Sequence, residues 1–501
     1  MYRSRAVSVE RGRVSAPQPL AAPPRTRSQA SAPKRAITPQ LRTVERNDVV
    51  MNVTIIGSGY VGLTTGLALS YLGHDVTCVD IRQDVVDRLR AGTATIFEPG
   101  LPELLSEVKD RTRFETTIPP LKGRGVVMIA VGTPTRPDGD ANLQYVDQAA
   151  RDVAAAIAPG ADLVVVNKST VPIGSARHVE GIILRALSER GVEARVAVAS
   201  NPEFLAEGRA MLDSFYPDRI VIGADDPWAI ATLRELYAPL LEQTFESPIA
   251  TPRPERYPLP SLITTTTTSA ELTKYAANSF LATKISFINE FAGLAEHVGA
   301  DVTQVARAIG LDARIGPRFL HAGIGWGGSC FGKDTRAVIA TAQRYDYAMP
   351  IVQSAIDVNY RQRLRMVGKL QEHLKVLRGT TIGLLGLAFK ANTDDLRDAP
   401  ALTLAQHLHE RGAVVRAHDP VAMPHAREQF PDLEIGFADD ELTLSQGCDA
   451  LVIVTEWEQY KHLDWEEVAA AMRGTLVLDA RNALRPETVR AAGLTYVGVG
   501  R

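Results

Sequence analysis

The sequence predicts an α/β protein in which two doubly wound parallel sheets are joined by a long central helix. Short β-branched runs alternate with amphipathic segments from residue 51 to about 250, and the same alternation returns in the last third of the chain. Between these parts, residues 269–299 show helical periodicity without proline. Strands that alternate with helices are typical of a parallel sheet covered on both faces. A helix of that length is typical of an element that spans between domains.

The first 50 residues differ in composition from the rest of the chain. They are rich in Arg, Pro, Ala and Ser. They contain ten Lys or Arg residues but only three acidic residues, Glu10, Glu45 and Asp48. Such a segment buries too little apolar surface to offset its ordering entropy. Residues 1–50 are therefore predicted to be a disordered basic tail, and Met51 is an alternative start of the protein.

The remaining composition excludes several classes of protein. No run of eighteen apolar residues is present that would span a bilayer. The three cysteines, Cys78, Cys330 and Cys448, lack the paired spacing of a disulfide framework or a zinc cluster. We therefore expect a soluble cytoplasmic protein with no metal site, no membrane and no nucleic acid as a partner.

A proline-rich stretch at 251–261 precedes a low-complexity run from Thr264 to Thr268. Clusters of this composition between periodic segments are typical of connections. We interpret this part of the chain as a linker or surface insertion before the long helix.

A glycine-rich turn lies between the first predicted strand and the first predicted helix. Gly57, Gly59 and Gly62 have the spacing of the Rossmann turn, whose backbone approaches a pyrophosphate at a helix N-terminus. Asp80 ends the second strand, where a carboxylate accepts the ribose hydroxyls of NAD and repels the 2′-phosphate of NADP. Arg82 stands nearby and is the residue that could receive such a phosphate. The pattern predicts NAD.

Cys330 follows a glycine-rich loop at 323–328 and precedes a predicted helix. The helix N-terminus and Lys333 would favour the thiolate, which predicts a covalent nucleophile. The alternative is a buried cysteine that acts as a small apolar residue.

Two further segments carry polar side chains with a chemical use. Lys274 and Asn278 are four residues apart on the long helix, so both project from one face and could stabilise an oxyanion. Glu203 follows a strand at the sheet edge where ligands bind, and it could activate a water molecule. Thr170, after another strand, could hold that water. The alternatives are an exposed lysine with an amide, and ordinary surface or capping carboxylates.

Together these segments resemble the UDP-glucose 6-dehydrogenase family, within the UDP-glucose/GDP-mannose dehydrogenase superfamily. The resemblance runs from Met51 to the C-terminus. It rests on nine ordered segments: GSGYVGL, FEPGL, VGTP, KSTVP, NPEFLAEG, SAELTKYAAN, RIGPRFL, GGSCFGKD and GLAFKANTDDLRDAP.

The resemblance implies a role for each matching position. The implied catalytic residues are Thr170, Glu203, Lys274, Asn278, Cys330 and Asp334. The cofactor contacts, together with those inferred from the glycine loop, are Gly57, Gly59, Tyr60, Val61, Gly62, Asp80, Arg82, Thr133, Thr170, Glu207, Lys333 and Arg397. The sugar-nucleotide contacts are Glu203, Phe204, Leu205, Glu207, Lys274, Asn278, Phe319, Gly327, Lys390 and Arg481, with Arg314 supplied by the neighbouring subunit. A site completed across subunits implies at least a homodimer.

The implied reaction is a two-step, NAD-dependent oxidation of the sugar C6 to a carboxylate. Cys330 would hold a thiohemiacetal and then a thioester, and Glu203 would act as the base for its hydrolysis. Three alternatives stay open. A sister enzyme would act on GDP-mannose or a UDP-N-acetylhexosamine, although the Phe204 to Gly208 segment favours UDP-glucose. A β-hydroxyacid dehydrogenase would lack both Cys330 and the second α/β domain. A binder without catalysis would have lost catalytic residues, and none is missing.

The predicted domain limits follow from these assignments. Residues 51–255 form the NAD-binding Rossmann-like domain, residues 256–376 the linker insertion and the central helical dimerisation domain, and residues 377–501 the UDP-sugar-binding Rossmann-like domain.

Overall fold

The structure of the protein, a computed structural model, describes residues 49–501. The predicted disordered tail lies outside the described residues except for Val49 and Val50.

The first sheet has eight strands. They are β1 Asn52–Ile56, β2 Asp75–Val79, β3 Thr112–Glu115, β4 Arg124–Ile129, β5 Asp162–Asn167, β6 Arg195–Ser200, β7 Arg219–Ala224 and β8 Ser261–Thr265. Their order across the sheet is β3-β2-β1-β4-β5-β6-β7-β8, and each pair is parallel except β6 with β7. The first six strands have the order of a dinucleotide-binding sheet, which opens a crevice beyond the carboxyl ends of β1 and β4.

Eight helices accompany this sheet. They are α1 Tyr60–Tyr71, α2 Gln83–Arg90, α3 Leu101–Glu107, α4 Gln144–Ala156, α5 Ser175–Arg190, α6 Ala210–Phe215, α7 Pro227–Leu236 and α8 Ala238–Glu242. Apolar residues of α1, α3 and α7 form the core on one face, and those of α4 and α5 form the core on the other. Because both faces are covered, β5 is buried over all but its first residue, which explains its continuous apolar run.

The threonine run is part of the fold, and our interpretation of it as a linker is wrong. Thr264 and Thr265 lie in β8, which pairs in parallel with β7. Thr266 caps the next helix, because its side chain accepts a hydrogen bond from the backbone N–H of Ser269 at 3.2 Å. Threonine is β-branched and is also a preferred N-cap, so the run suits a strand followed by a helix start.

Four helices form the centre of the molecule. They are α9 Thr267–Val298, α10 Val302–Gly310, α11 Phe331–Gln343 and α12 Pro350–Leu374. The 32-residue α9 packs against α11 and α12 and also against β7 of the first sheet. The predicted long central helix is confirmed.

The second sheet lies in the C-terminal third. Its strands are β9 Thr381–Leu385, β10 Val414–His418, β11 Ile435–Phe437, β12 Ala450–Ile453, β13 Leu476–Asp479 and β14 Thr495–Val497. Its helices are α13 Pro400–Glu410, α14 Met423–Gln429, α15 Glu441–Ser445, α16 Glu458–Lys461, α17 Trp465–Ala471 and α18 Pro486–Ala491. All pairs are parallel in the order β11-β10-β9-β12-β13-β14. This repeats the order of the first six strands and confirms the predicted pair of Rossmann-like sheets.

In residues 49–501, none of the helices combines the length and the apolar character that crossing a membrane requires.

Candidate active site

The glycine loop connects β1 to α1 and has the geometry of a dinucleotide cradle. Gly57 has a φ of +97°, and a Cβ there would lie 2.7 Å from the carbonyl oxygen of Ala130. A Cβ on Gly62 would strike the carbonyl of Gly57, so both positions require glycine. A Cβ on Gly59 would meet no heavy atom within 4 Å. The space beside the N-terminus of α1 is therefore open to a phosphate.

Asp80 lies directly after β2 and is held beside this loop. Its Oδ2 accepts a hydrogen bond from the backbone N–H of Ser58 and its Oδ1 one from the N–H of Arg82, both at 3.0 Å. The carboxylate is thus oriented next to the open space at Gly59. These residues fit NAD, with Tyr60 and Val61 in the first turn of α1.

Lys274 and Glu203 form a buried ion pair. Lys274 Nζ lies 2.8 Å from Glu203 Oε1, and both side chains are almost fully buried. Burial alone would raise the pKa of Glu203, but the Lys274 ammonium and the N–H of Leu205 hold that pKa below its usual range. Glu203 is therefore a carboxylate at neutral pH. Lys274 is not the exposed lysine of the alternative interpretation.

Asn278 contacts a second buried acid. Its Nδ2 donates to Asp334 Oδ2 at 2.6 Å, which links α9 to the first turn of α11. Lys333 Nζ lies 2.6 Å from Asp334 Oδ1. The carboxylate of Asp334 therefore has a partner on each oxygen.

Cys330 lies directly before α11, as the sequence predicts. Its pKa is raised, because burial disfavours the thiolate and Glu203 adds a nearby negative charge; the Lys274 ammonium acts in the opposite direction. Our prediction that the helix N-terminus and Lys333 favour the thiolate is wrong for this geometry, because the pKa of Cys330 is raised and Lys333 is paired with Asp334. Ser329 Oγ lies 3.4 Å from Cys330 Sγ.

Glu207 connects three parts of the chain. It accepts hydrogen bonds from Ser329 at 3.0 Å, Thr393 at 3.4 Å and Arg397 at 3.5 Å. Burial and the neighbouring Asp395 raise the pKa of Glu207 to about 7. The carboxyl group of Glu207 therefore connects the first domain to the segment before Cys330 and to the loop after β9.

The remaining cofactor-side residues also converge. Thr133 Oγ1 donates to the carbonyl of Thr170 at 2.9 Å, and Lys333 Nζ lies 3.4 Å from the same hydroxyl. Arg397 is exposed, and its main partner is Asp395. Thr133 therefore connects Thr170, at the carboxyl edge of the first sheet, to Lys333 on α11.

Arg481 and Gly327 lie at the carboxyl edge of the second sheet. Arg481 follows β13 and donates to the carbonyls of Val454 and Phe389 at 2.7 Å and of Gly325 at 3.0 Å. A Cβ on Gly327 would strike the carbonyl of Asp398. The loop at 323–328, which precedes Cys330, therefore packs closely on the second Rossmann-like domain.

Three further residues of the predicted set are aromatic or basic. Burial lowers the pKa of Lys390. The ring of Phe319 lies 6.4 Å from that of Phe331, next to Cys330, and its backbone has a φ of +65°. Phe204 stacks under Arg219 at 3.8 Å and lies 5.5 Å from Lys274 Nζ.

Arg314 is the predicted site residue that the fold of one chain does not bring to the others. Its side chain is 89% exposed and pairs at 2.6 Å with Asp312.

Two buried charged residues near the site were not assigned a role from the sequence. Glu98 is 3% exposed and accepts a hydrogen bond from the backbone N–H of Gly208 at 2.7 Å, and burial raises its pKa to about 7. Lys168 donates to Asn201 at 2.9 Å, and burial lowers its pKa to about 8. Glu98 lies in FEPGL and Lys168 in KSTVP, two of the segments on which the family resemblance rests. That resemblance is the sequence signal that could have pointed to these two residues.

The chain matches one protein family along three segments. Residues 51–241 match the NAD binding domain of the UDP-glucose/GDP-mannose dehydrogenase family, residues 268–361 its central domain and residues 383–486 its UDP binding domain. The chain is 43% identical over 454 residues to UDP-glucose 6-dehydrogenase YwqF of Bacillus subtilis, with 90% of this chain and 98% of the relative covered. It is 44% identical over 458 residues to a UDP-glucose 6-dehydrogenase of Rhizobium meliloti, with 90% and 100% covered.

Solved structures agree with this assignment. A UDP-glucose dehydrogenase from the hyperthermophilic archaeon Pyrobaculum islandicum aligns with a TM-score of 0.79 and 39% identity over 91% of this chain and 99% of that chain. A UDP-D-ManNAc dehydrogenase from Pyrococcus horikoshii aligns with a TM-score of 0.75 and 28% identity, over 90% and 99%. The resemblance inferred from the sequence is confirmed: the chain is an NAD-dependent oxidoreductase that belongs to the UDP-glucose/GDP-mannose dehydrogenase family.

Proposed function

We propose that the protein oxidises C6 of UDP-glucose to the carboxylate of UDP-glucuronate. The observation that carries this proposal is the convergence of Cys330 with two buried polar pairs, Lys274–Glu203 and Asn278–Asp334. The relatives at 43% and 44% identity are both UDP-glucose 6-dehydrogenases, which supports UDP-glucose over the sister substrates.

The first oxidation converts the C6 alcohol to an aldehyde. Lys274 and Asn278 bind the C6 oxygen and stabilise the negative charge that develops on it. Asp334 takes the hydroxyl proton, directly or through a water molecule. Gly57, Gly59 and Asp80 would hold NAD, which would supply the hydride acceptor for both oxidations.

The second oxidation takes place on the protein. Cys330 Sγ adds to the aldehyde carbon, and the aldehyde oxygen receives a proton to give a thiohemiacetal. Loss of a hydride from C6 and of the hydroxyl proton gives a thioester. Glu203 then takes a proton from the attacking water, and Cys330 leaves as the thiol. An ionised Glu203 is required for this step, which agrees with its lowered pKa.

Counting NADH per sugar tests this function. With limiting UDP-glucose and excess NAD, we expect two NADH and one uronate per sugar consumed. One NADH per sugar would indicate an alcohol oxidation that stops at the aldehyde, and none would indicate a binding protein. GDP-mannose and UDP-N-acetylmannosamine serve as competing substrates, and a higher kcat/KM for either would overturn the assignment of UDP-glucose.

We further propose that the protein is a homodimer formed along α9. One face of this helix exposes Phe280, Phe287, Phe291, Leu294 and Val298, which recur at spacings of three, four and seven residues. Exposed apolar side chains at these spacings form a continuous stripe that a second helix can cover. Arg314 would then reach the sugar-nucleotide site of the partner subunit.

Introducing charge into this stripe should break the dimer. We expect the double variant Phe287→Asp/Phe291→Asp to elute as a monomer, because two desolvated carboxylates cost more than the packing supplies. Light scattering after size exclusion measures the mass. Leu184→Asp on α5, also an exposed apolar residue, is the matched control and should stay dimeric. A monomeric parent protein would contradict the proposal.

The compartment is proposed from the cysteines. Cys78, Cys330 and Cys448 are all free, and a free reactive thiol is maintained in a reducing environment. We place the reaction in the cytoplasm.

A further inference from the structure

We propose that Glu98 is a positioning residue that fixes the end of the substrate loop, defined here as residues 201–208, where that loop meets Tyr60 of the cofactor site. The inference rests on the proposed function, since the substrate loop carries Glu203 and Glu207. Glu98 does not take part in the reaction itself. It binds the backbone of the loop that carries those two carboxyl groups.

The contacts of Glu98 fix the end of the substrate loop. Its Oε2 accepts from the N–H of Gly208 at 2.7 Å, and its Oε1 accepts from the N–H of Met211 at 3.4 Å. The side chain is 3% exposed, so water cannot replace these bonds in the folded protein. Without Glu98 the N–H of Gly208 would lose its carboxyl acceptor.

The same N–H also contacts the cofactor side of the molecule. The hydroxyl oxygen of Tyr60 lies 2.8 Å from the nitrogen of Gly208. Tyr60 is the first residue of α1, next to Gly59 of the glycine loop. The loop that faces the cofactor and the loop that faces the substrate therefore meet at a single backbone amide.

Asn392 of the second Rossmann-like domain packs against the backbone of Gly208. Gly208 has a φ of +77°, and a Cβ there would lie 2.7 Å from the carbonyl oxygen of Asn392. The backbone of Gly208 is thus held between Glu98 and Tyr60 of the first domain and Asn392 of the second. It has little room to move while Glu98 is in place.

A displacement of Gly208 would be transmitted to the Cys330 thiol through Glu207 and Ser329. Glu207 is the adjacent residue, and its carboxyl group bonds Ser329, which lies 3.4 Å from Cys330 Sγ. Glu203 at the other end of the loop is paired with Lys274. Loss of Glu98 should therefore misplace both carboxyl groups and leave the glycine loop intact.

Three variants at one position test the inference. Glu98→Ala removes the acceptor, Glu98→Asp keeps the charge but shortens the reach, and Glu98→Gln keeps an acceptor oxygen at the same length. We expect the Ala and Asp variants to lose about 10- to 100-fold in kcat and to raise the KM for UDP-glucose, the range for a buried N–H that loses its hydrogen-bond acceptor. The Gln variant should recover to within about threefold of the parent, and the Kd for NAD alone should stay within about twofold in all three.

A matched control separates positioning from general destabilisation. Asp449 also accepts a backbone N–H, that of Thr381 at 2.8 Å, but it lies at the amino edge of the second sheet. Asp449→Ala should lower Tm and leave kcat and KM unchanged. If Glu98→Ala does not fold, Glu98→Asp carries the same comparison.

Hydrogen exchange provides a readout that does not depend on turnover. Amides of residues 201–211 should exchange faster in Glu98→Ala and Glu98→Asp, and at the parent rate in Glu98→Gln and Asp449→Ala. Unchanged exchange there, or equal loss of kcat in the Gln and Ala variants, would overturn the positioning role. A parent protein that does not oxidise UDP-glucose would instead refute the proposed function, while the exchange result would still decide the role of Glu98.

Discussion

Replacing Cys330 by alanine is expected to lower the kcat for uronate formation by about 10⁴-fold or more, the range seen when a covalent nucleophile is removed. The proposed second oxidation needs a carbon–sulfur bond, and the described residues place no second thiol near Lys274 and Glu203: Cys78 and Cys448 are buried in the cores of the two Rossmann-like domains. Steady-state NADH production and uronate by chromatography measure the loss.

The control for this prediction is Cys448→Ala. Cys448 is fully buried, and its thiol donates to the carbonyl of Leu444, so the change removes a sulfur atom without touching the site. We expect its activity to match that of the parent. A Cys330→Ala variant that still released uronate at a comparable rate would contradict covalent catalysis and would favour hydration of a free aldehyde.

The raised pKa of Cys330 adds a condition to this mechanism. Since burial raises the pKa of Cys330, the resting group is the thiol, and the Lys274 ammonium nearby stabilises the negative charge that develops on sulfur when the proton is lost. Substrate binding, which brings the aldehyde carbon next to Sγ, then sets the reactivity.

Features with a local pattern were predictable from the sequence. The spacing of Gly57, Gly59 and Gly62 reports a backbone geometry that these three residues create alone, and α9 shows its period over 32 residues. The threonine run was misinterpreted because composition suggested a connection, while the partner strand β7 that makes it a strand lies about forty residues earlier.

Pairwise contacts across the fold were not predictable. Glu98 and Gly208 are 110 residues apart, and neither has a local pattern that names the other. The proximity of Lys333 to Cys330 in the sequence suggested an effect on the thiol, yet Lys333 pairs with the adjacent Asp334. Burial of Cys330, which sets the direction of its pKa, depends on the packing of both domains around the loop.

Replacing Lys274 by methionine should be the most destabilising single change in the site, with a loss of about 3 kcal/mol in the free energy of unfolding. The variant leaves the Glu203 carboxylate buried without the partner now 2.8 Å away. Lys168 also lowers the pKa of Glu203 and remains, so the loss should fall at the lower end of the range for broken buried pairs. The kcat should fall by about 10³-fold, since the proposed oxyanion donor is gone.

The double variant Lys274→Met/Glu203→Gln distinguishes the pair from general loss of packing. Removing both charges should restore on the order of 1–3 kcal/mol relative to Lys274→Met, because the Glu203 carboxylate is no longer buried without the Lys274 ammonium. Denaturant unfolding gives these free energies, and activity should stay low in both variants. Equal stability of the single and double variants would show that Glu203 is not held as a carboxylate by Lys274.

The same pair predicts how stability depends on pH. The folded pKa of Glu203 is lower than its unfolded value, so its contribution to stability is present above the unfolded pKa and is lost as the pH falls through the folded one. In Lys274→Met the pKa of Glu203 should rise, which moves that loss to higher pH and reduces the difference between the variants in acid. Unfolding free energies that converge as the pH is lowered from 7 toward 4 would support the ion pair. A gap that stays constant would mean that Lys274 stabilises the fold through its aliphatic chain, and that Glu203 owes its ionisation to Lys168 and to the N–H of Leu205.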